Sequence, residues 1–376
     1  MNKKYIVLLF FLSCIVIFFI VSKKPPIGKK QVIFPTTYLL QPTTFPSSSP
    51  KAVLDVSKSI FTPYWTAEAN DENARKYDTY YYFGVRSTKE GSVEDEIGYQ
   101  KINTVNNIPE KQKKLVLRML DASINEIILT DKSVQKKLID ETKRVMTENK
   151  FSGIVIDLEI SFTLQSNKQK QITELVQQMC TSAKEDYKSC SVLIYGDVIY
   201  RKRPYDLKKI SEYADTILLM AYDFHKAGGG SPGPNYSFEE KQKYGYDFKQ
   251  MISDVTAIVK REKIEVVFGM FGYDWTLNDQ NLPLKAAKAL SLNEIQAFVA
   301  NRATTQNVQN EMQNNDLRYT LRVSRNEARE TSIQYTDEEG RKHVVWYEDE
   351  ESAAIKTKYL QQQGINKISF WAYSYY

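Results

Sequence analysis

Eight short apolar runs, each rich in β-branched or aromatic residues, are spaced along the chain with helical patterns between most of them. This alternation constrains the fold more than any other feature. In order the runs are residues 59–65 (SIFTPYW), 78–85 (DTYYYFGV), 114–120 (KLVLRML), 151–160 (FSGIVIDLEI), 191–198 (SVLIYGDV), 216–223 (TILLMAYD), 266–275 (VVFGMFGYDW) and 367–373 (KISFWAY). The clearest helical pattern is residues 171–188, where Ile172, Leu175, Val176, Met179 and Ala183 share one face. Residues 132–149, 205–214 and 352–363 read as further helices, the last stopped by Gly364. Helical crossovers return the chain to the same end of the sheet, so strands joined this way run parallel. Over roughly 320 residues, eight such units predict a parallel (β/α)8 TIM barrel. A doubly wound open sheet is the structural alternative, but the Gly-rich phosphate turn after its first strand is absent.

The interval between the seventh and eighth runs is too long for one crossover. Within it, residues 319–325 (YTLRVSR), 331–336 (TSIQYT) and 343–348 (HVVWYE) read as strands, the last two joined by a turn at 337–340. They predict a small antiparallel insertion at about 290–348, inside a barrel domain covering 56–376. Ahead of it, residues 25–55 form a Pro/Ser/Thr-rich tether. Residues 1–24 hold a basic start and an apolar run from 5 to 21, closed by Ser22, Lys23 and Lys24. Seventeen helical residues reach roughly 26 Å, near the lower limit for a membrane span. The expectation is an uncleaved N-terminal transmembrane helix, a signal anchor with the barrel outside the cytoplasm; a cleaved signal and a secreted protein are the alternative. Cys180 and Cys190 are either one small disulfide loop or two buried thiols. With only His225 and His343 in the chain, no metal site is expected, and no cofactor. Net charge is +5, from 51 basic and 46 acidic residues without a dense basic tract, which argues against nucleic acid as a partner.

The fourth run carries the chemistry. Ile154, Val155, Ile156 and Leu158 make a buried strand opened by Gly153, yet Asp157 and Glu159 are set into it. Side chains alternate along a strand, so both acids point the same way, one pleat apart. An acid on an apolar strand is desolvated, which raises its pKa and equips it to protonate a leaving oxygen. The sixth run ends Met220-Ala221-Tyr222-Asp223 and the eighth carries Trp371, a flat apolar face for a sugar ring. In a barrel these three strand ends meet at one mouth.

The pattern resembles glycoside hydrolase family 18, the chitinase-like barrels, from about residue 59 to 376. That family's Asp-Gly-x-Asp-x-Asp-x-Glu signature is matched by residues 152–159, SGIVIDLE, and its Met-x-Tyr-Asp by residues 220–223. FGYDW at 271–275 and HVVWYEDEESAAIK at 343–356 are similar to the branch of spore-cortex and peptidoglycan N-acetylglucosaminidases. The resemblance implies a glycoside hydrolase acting on β-1,4-linked N-acetylglucosamine polymers, peptidoglycan or chitin, with retention and no enzymic nucleophile. Glu159 would be the acid and later the base. Asp157 would support the substrate's acetamido group as it attacks the anomeric carbon, with Tyr222 hydrogen-bonded to it. Asp223 would contact the sugar and Trp371 would floor its subsite; Met220, Trp275 and Tyr64 complete the expected substrate-binding set. Two family acids are replaced by Ser152 and Val155, and the branch's first tyrosine by Phe271. Val155 shares the face of Asp157, so that acid loses a polar partner and sits in a drier place, and slow turnover is expected. The alternative is a catalytically weak carbohydrate-binding barrel of the same fold.

Overall fold

The computed structural model describes residues 55–66, 76–93, 97–160, 166–311 and 322–376. The expected N-terminal membrane segment, and the tether up to residue 54, lie outside them; among the described residues no helix is long and apolar enough to cross a membrane. Thirteen strands are described. They are β1 (Ser57–Pro63), β2 (Thr79–Arg86), β3 (Lys113–Met119), β4 (Gly153–Leu158), β5 (Ser189–Tyr195), β6 (Thr216–Ala221) and β7 (Ile264–Gly269), then β8 (Phe271–Leu277), β9 (Lys288–Ser291), β10 (Arg322–Arg325), β11 (Thr331–Thr336), β12 (Lys342–Tyr347) and β13 (Lys367–Trp371). Strands β1 to β7 and β13 close into one barrel, and every neighbouring pair in it is parallel. The barrel read from the eight apolar runs is therefore present, with β13 closing it between β1 and β7.

Period-two alternation sorts the barrel residues into two sets. One set fills the interior, where Phe61, Tyr81, Val116, Val155, Leu193, Leu218 and Val267 pack together. The other faces the surrounding helices, where Ile154, Ile156, Val192 and Ile194 meet Ile172, Leu175 and Met179 of the helix Ser166–Glu185. At the opening of β4, a side chain on Gly153 would lie 2.1 Å from the Ser189 hydroxyl and 2.6 Å from its carbonyl, so glycine is what allows β4 and β5 to approach. The helix Lys132–Glu148 starts where the Asp131 carboxylate accepts from the backbone N–H groups of Ser133 and Val134. Cys180 and Cys190 form a disulfide, which ties the helix Ser166–Glu185 to β5.

The run at 266–275 is two strands rather than one. The chain leaves the barrel at Met270, whose N–H donates to the carbonyl of Trp371, and β8 then pairs with β12 and β9. Gly269 marks the exit, because a Cβ there would stand 2.7 Å from that of Tyr222. Apolar patterning runs unbroken through both strands, and only the glycine signals the bend. The antiparallel sheet, in the order β10-β11-β12-β8-β9, thus takes in residues from 271 onward, earlier than the expected start near 290.

Candidate active site

The two acids of strand four stand at the carboxyl end of the barrel. Asp157 is the penultimate residue of β4 and Glu159 the first beyond it, its N–H donating to the carbonyl of Met119 on β3. Asp157 is buried, and its Oδ1 has no hydrogen-bond partner among the described residues. Burial, and next the negative charge of Glu159, push its carboxyl well above the usual range; Arg118, its register partner on β3, pulls the other way. Glu159 is half-buried. Its Oε2 accepts from the Tyr195 hydroxyl at 2.8 Å, which favours the charged form, yet burial outweighs this and raises the pKa. Both acids therefore hold protons more tightly than free carboxylates do, and their titration belongs to the pair.

Tyr222 and Asp223 follow β6. Asp223 takes a left-handed backbone with φ of 58°, its N–H donating to Asn235 Oδ1 at 2.8 Å and its Oδ1 accepting from Tyr273 Oη at 2.7 Å. Burial raises its pKa as well. The Tyr222 phenol is pushed far up by burial and by the charges of Asp157, Glu159 and Asp223, so it serves only as a neutral hydrogen-bonding group. Trp371 ends β13, its ring edge-on to Phe83 at 4.6 Å and to Trp65 at 6.4 Å; the peptide bond that follows it is cis. Together with Trp65 and Arg118, these side chains line a cleft of about 660 Å³ whose other wall includes Phe271, Tyr273, Leu290 and Glu294 from the antiparallel sheet and the helix after it.

Asp157, Glu159, Tyr222, Asp223 and Trp371 are thus brought together as expected from the strand ends. Three others lie elsewhere. Met220 is buried in the barrel interior beneath the site. Tyr64 stands beside the cleft, edge-on to Trp65 at 5.0 Å and under the Arg118 guanidinium. Trp275 is 0% exposed, packed against Tyr273 and Val344 within the sheet, and so has no face to offer a sugar. Asp197, which could have reached the cleft, is buried in a two-point ion pair with Arg203. Three residues with contacts at the site were missed. Arg118 is a charge inside the apolar third run, Tyr195 shares the inward parity of Leu193, and Tyr273 lies within the FGYDW motif. Strand parity is the signal that could have found the first two.

A closed parallel barrel whose reactive side chains gather at the carboxyl ends of its strands is the architecture of a TIM-barrel enzyme. Residues 60–375 match the family described as Glycosyl hydrolases family 18. The chain belongs to that family and is a glycosyl hydrolase. It is 23% identical over 357 residues to a cortical fragment-lytic enzyme of Bacillus anthracis, covering 92% of this chain and 72% of that one. Among solved structures it is similar to the Bacillus cereus spore cortex-lytic enzyme SleL, at 18% identity and a TM-score of 0.64, covering 86% and 72% of the two chains. It is also similar to a family 18 chitinase from Cycas revoluta in complex with (GlcNAc)3, at 18% identity and a TM-score of 0.67, covering 84% and 94%.

Proposed function

We propose that this hydrolase cleaves β-1,4 linkages next to N-acetylglucosamine, with retention and with the substrate's own acetamido group as nucleophile. The observation that carries the reading is the pairing on β4 of a buried Asp157, whose Oδ1 is unpartnered, with the cleft-lining acid Glu159 two residues on. Glu159 gives its proton to the glycosidic oxygen as the acetamido oxygen attacks the anomeric carbon, forming an oxazolinium ion and releasing the leaving sugar. Asp157 accepts the acetamido N–H and stabilises the positive charge, while the Tyr222 hydroxyl donates to the acetamido oxygen. Water then attacks the anomeric carbon, and the Glu159 carboxylate takes its proton. Asp223 holds a sugar hydroxyl and Trp371 lies under the ring. Peptidoglycan is favoured over chitin because the similar curated proteins include cortical fragment-lytic enzymes. The apolar run at 5–21 supports a barrel held outside the cytoplasm on a membrane anchor.

One observation favours a second reading, a barrel that binds glycan with little turnover. Val155 is fully buried among apolar neighbours and gives Asp157 no carboxyl partner on its own strand. Product analysis on purified peptidoglycan and on chitin oligomers separates the two. The expected result is release of reducing ends by wild type and a loss of about 10²-fold or more in Glu159→Gln. Equal turnover by the variant refutes the role of Glu159, and binding without any release favours the second reading.

A further inference from the structure

The end of β5 and the segment that follows it hold Glu159 and its two chain neighbours at three points. Tyr195, the last residue of β5, donates its hydroxyl to Glu159 Oε2 at 2.8 Å. Tyr205 brackets the same residue through the backbone: its hydroxyl donates to the Leu158 carbonyl at 2.6 Å and accepts from the Ile160 N–H at 2.7 Å. Between them lies Arg203, its guanidinium 3.8 Å from the centre of the Tyr195 ring. That guanidinium is itself fixed, because Asp197 accepts from its Nε at 2.5 Å and its Nη2 at 3.1 Å, and Asp197 also holds Arg201 at 2.9 Å. Tyr195, Tyr205, Arg203 and Asp197 are all buried or half-buried, so little motion is left to the carboxylate they hold.

We infer that Tyr195 is a positioning residue for the acid: its hydroxyl fixes the Glu159 carboxyl and tunes its proton affinity, with the Arg203–Asp197 pair holding the ring. This rests on the role proposed for Glu159. A hydroxyl donor favours the carboxylate over the carboxylic acid, so Tyr195 works against the burial that raises the pKa of Glu159. The other groups facing Glu159 are Asp157 on its own strand, Arg203 from the segment after β5, and Tyr222, Asp223 and Lys226 from the segment after β6. Arg203 and Lys226 favour the carboxylate through their charge.

The sign of the effect follows. A general acid works while protonated, so activity falls as pH rises through its pKa. In Tyr195→Phe the ring and its contact with Arg203 remain and only the hydroxyl goes. The alkaline limb of kcat/KM should then move up by about one pH unit, with kcat reduced about tenfold and KM within about twofold. Tyr205→Phe, which does not touch the carboxyl, should lower kcat with the limb in place. A second readout needs no turnover: the carboxyl titration of Glu159 by carbon NMR on glutamate-labelled full-length protein, assigned with Glu159→Gln. An upward shift in Tyr195→Phe supports the inference; an unmoved or lowered titration overturns it. Absence of turnover in wild type, with the titration shifted, overturns the functional reading and leaves the positioning role standing.

Discussion

Val155 decides how Asp157 behaves. It lies two residues earlier on the same face, 0% exposed and surrounded by Val116, Leu193 and Leu218, so the Asp157 carboxyl meets hydrocarbon on one side and the cleft on the other. Hydrocarbon on one side explains why burial is the leading cause of its raised pKa, and why one of its oxygens lacks a partner. A side chain that could donate from position 155 would satisfy that oxygen. Val155→Asn should therefore increase kcat about threefold to tenfold, the worth of one ordinary hydrogen bond. It should also destabilise the barrel by about 1–3 kcal/mol, because a second amide hydrogen is then buried without an acceptor. Steady-state kinetics beside thermal unfolding checks both. Unchanged kcat in a folded variant would show that Asp157 needs no partner from its own strand.

Among the elements, the helix Glu350–Gln362 is fastened by charge to the residues that flank β11 and β12 of the antiparallel sheet. Lys356 is fully buried and its ammonium contacts Glu330 at 2.7 Å and also Glu348, both fully buried. Glu348 also accepts from the Ser352 hydroxyl at 2.6 Å, and Glu330 accepts from the Tyr236 N–H at 2.7 Å. Two carboxylates and one ammonium leave one negative charge too many, and the buried cluster is neutral when Glu348 keeps its proton. Burial accordingly pushes Glu348 up to about 8, against the pull of Lys356. A carboxyl whose folded pKa is raised stabilises the fold below its unfolded value near 4.5, and this is lost as pH rises toward about 8. The thermal midpoint of wild type should thus fall by a few degrees between those limits. Glu348→Gln, which keeps the shape and carries no charge, should flatten that slope; equal slopes in the two proteins would contradict the assignment. None of this was legible in the sequence. Glu330 and Lys356 are 26 residues apart, and spacing does not announce a pair that only the fold brings together.

At the scale of the molecule, local patterning carried the barrel and long-range polar contacts carried what it missed. Continuous apolar runs marked the barrel strands because a sheet buried on both faces demands them, and the period-two alternation of side chains placed Asp157 and Glu159 on one side. Those rules are blind to where a strand changes sheet, which is why β7 and β8 read as one, and why Trp275 read as a cleft residue when it is sheet core. They are blind as well to Tyr81, whose hydroxyl meets Glu265 inside the barrel from 184 positions away. The same limit hid Asn235, where the cleft and the buried charges join. Its Oδ1 holds the N–H of Asp223, its Nδ2 reaches the Gly269 carbonyl at 3.2 Å, and its backbone N–H is taken by Glu330. The side chain thus ties the left-handed backbone of Asp223 to the bend where the chain leaves the barrel, while its backbone ties both to the Lys356 cluster. Asn235→Ala removes only the side-chain contacts and leaves the bond to Glu330. Asp223 then loses the acceptor for its N–H, a cost of about 1–3 kcal/mol that falls on the cleft. The expected outcome is a rise in KM for N-acetylglucosamine oligomers of about tenfold, with the pH dependence of the thermal midpoint as in wild type. A midpoint that lost its pH dependence, with KM unchanged, would place Asn235 in the charge cluster rather than in the site.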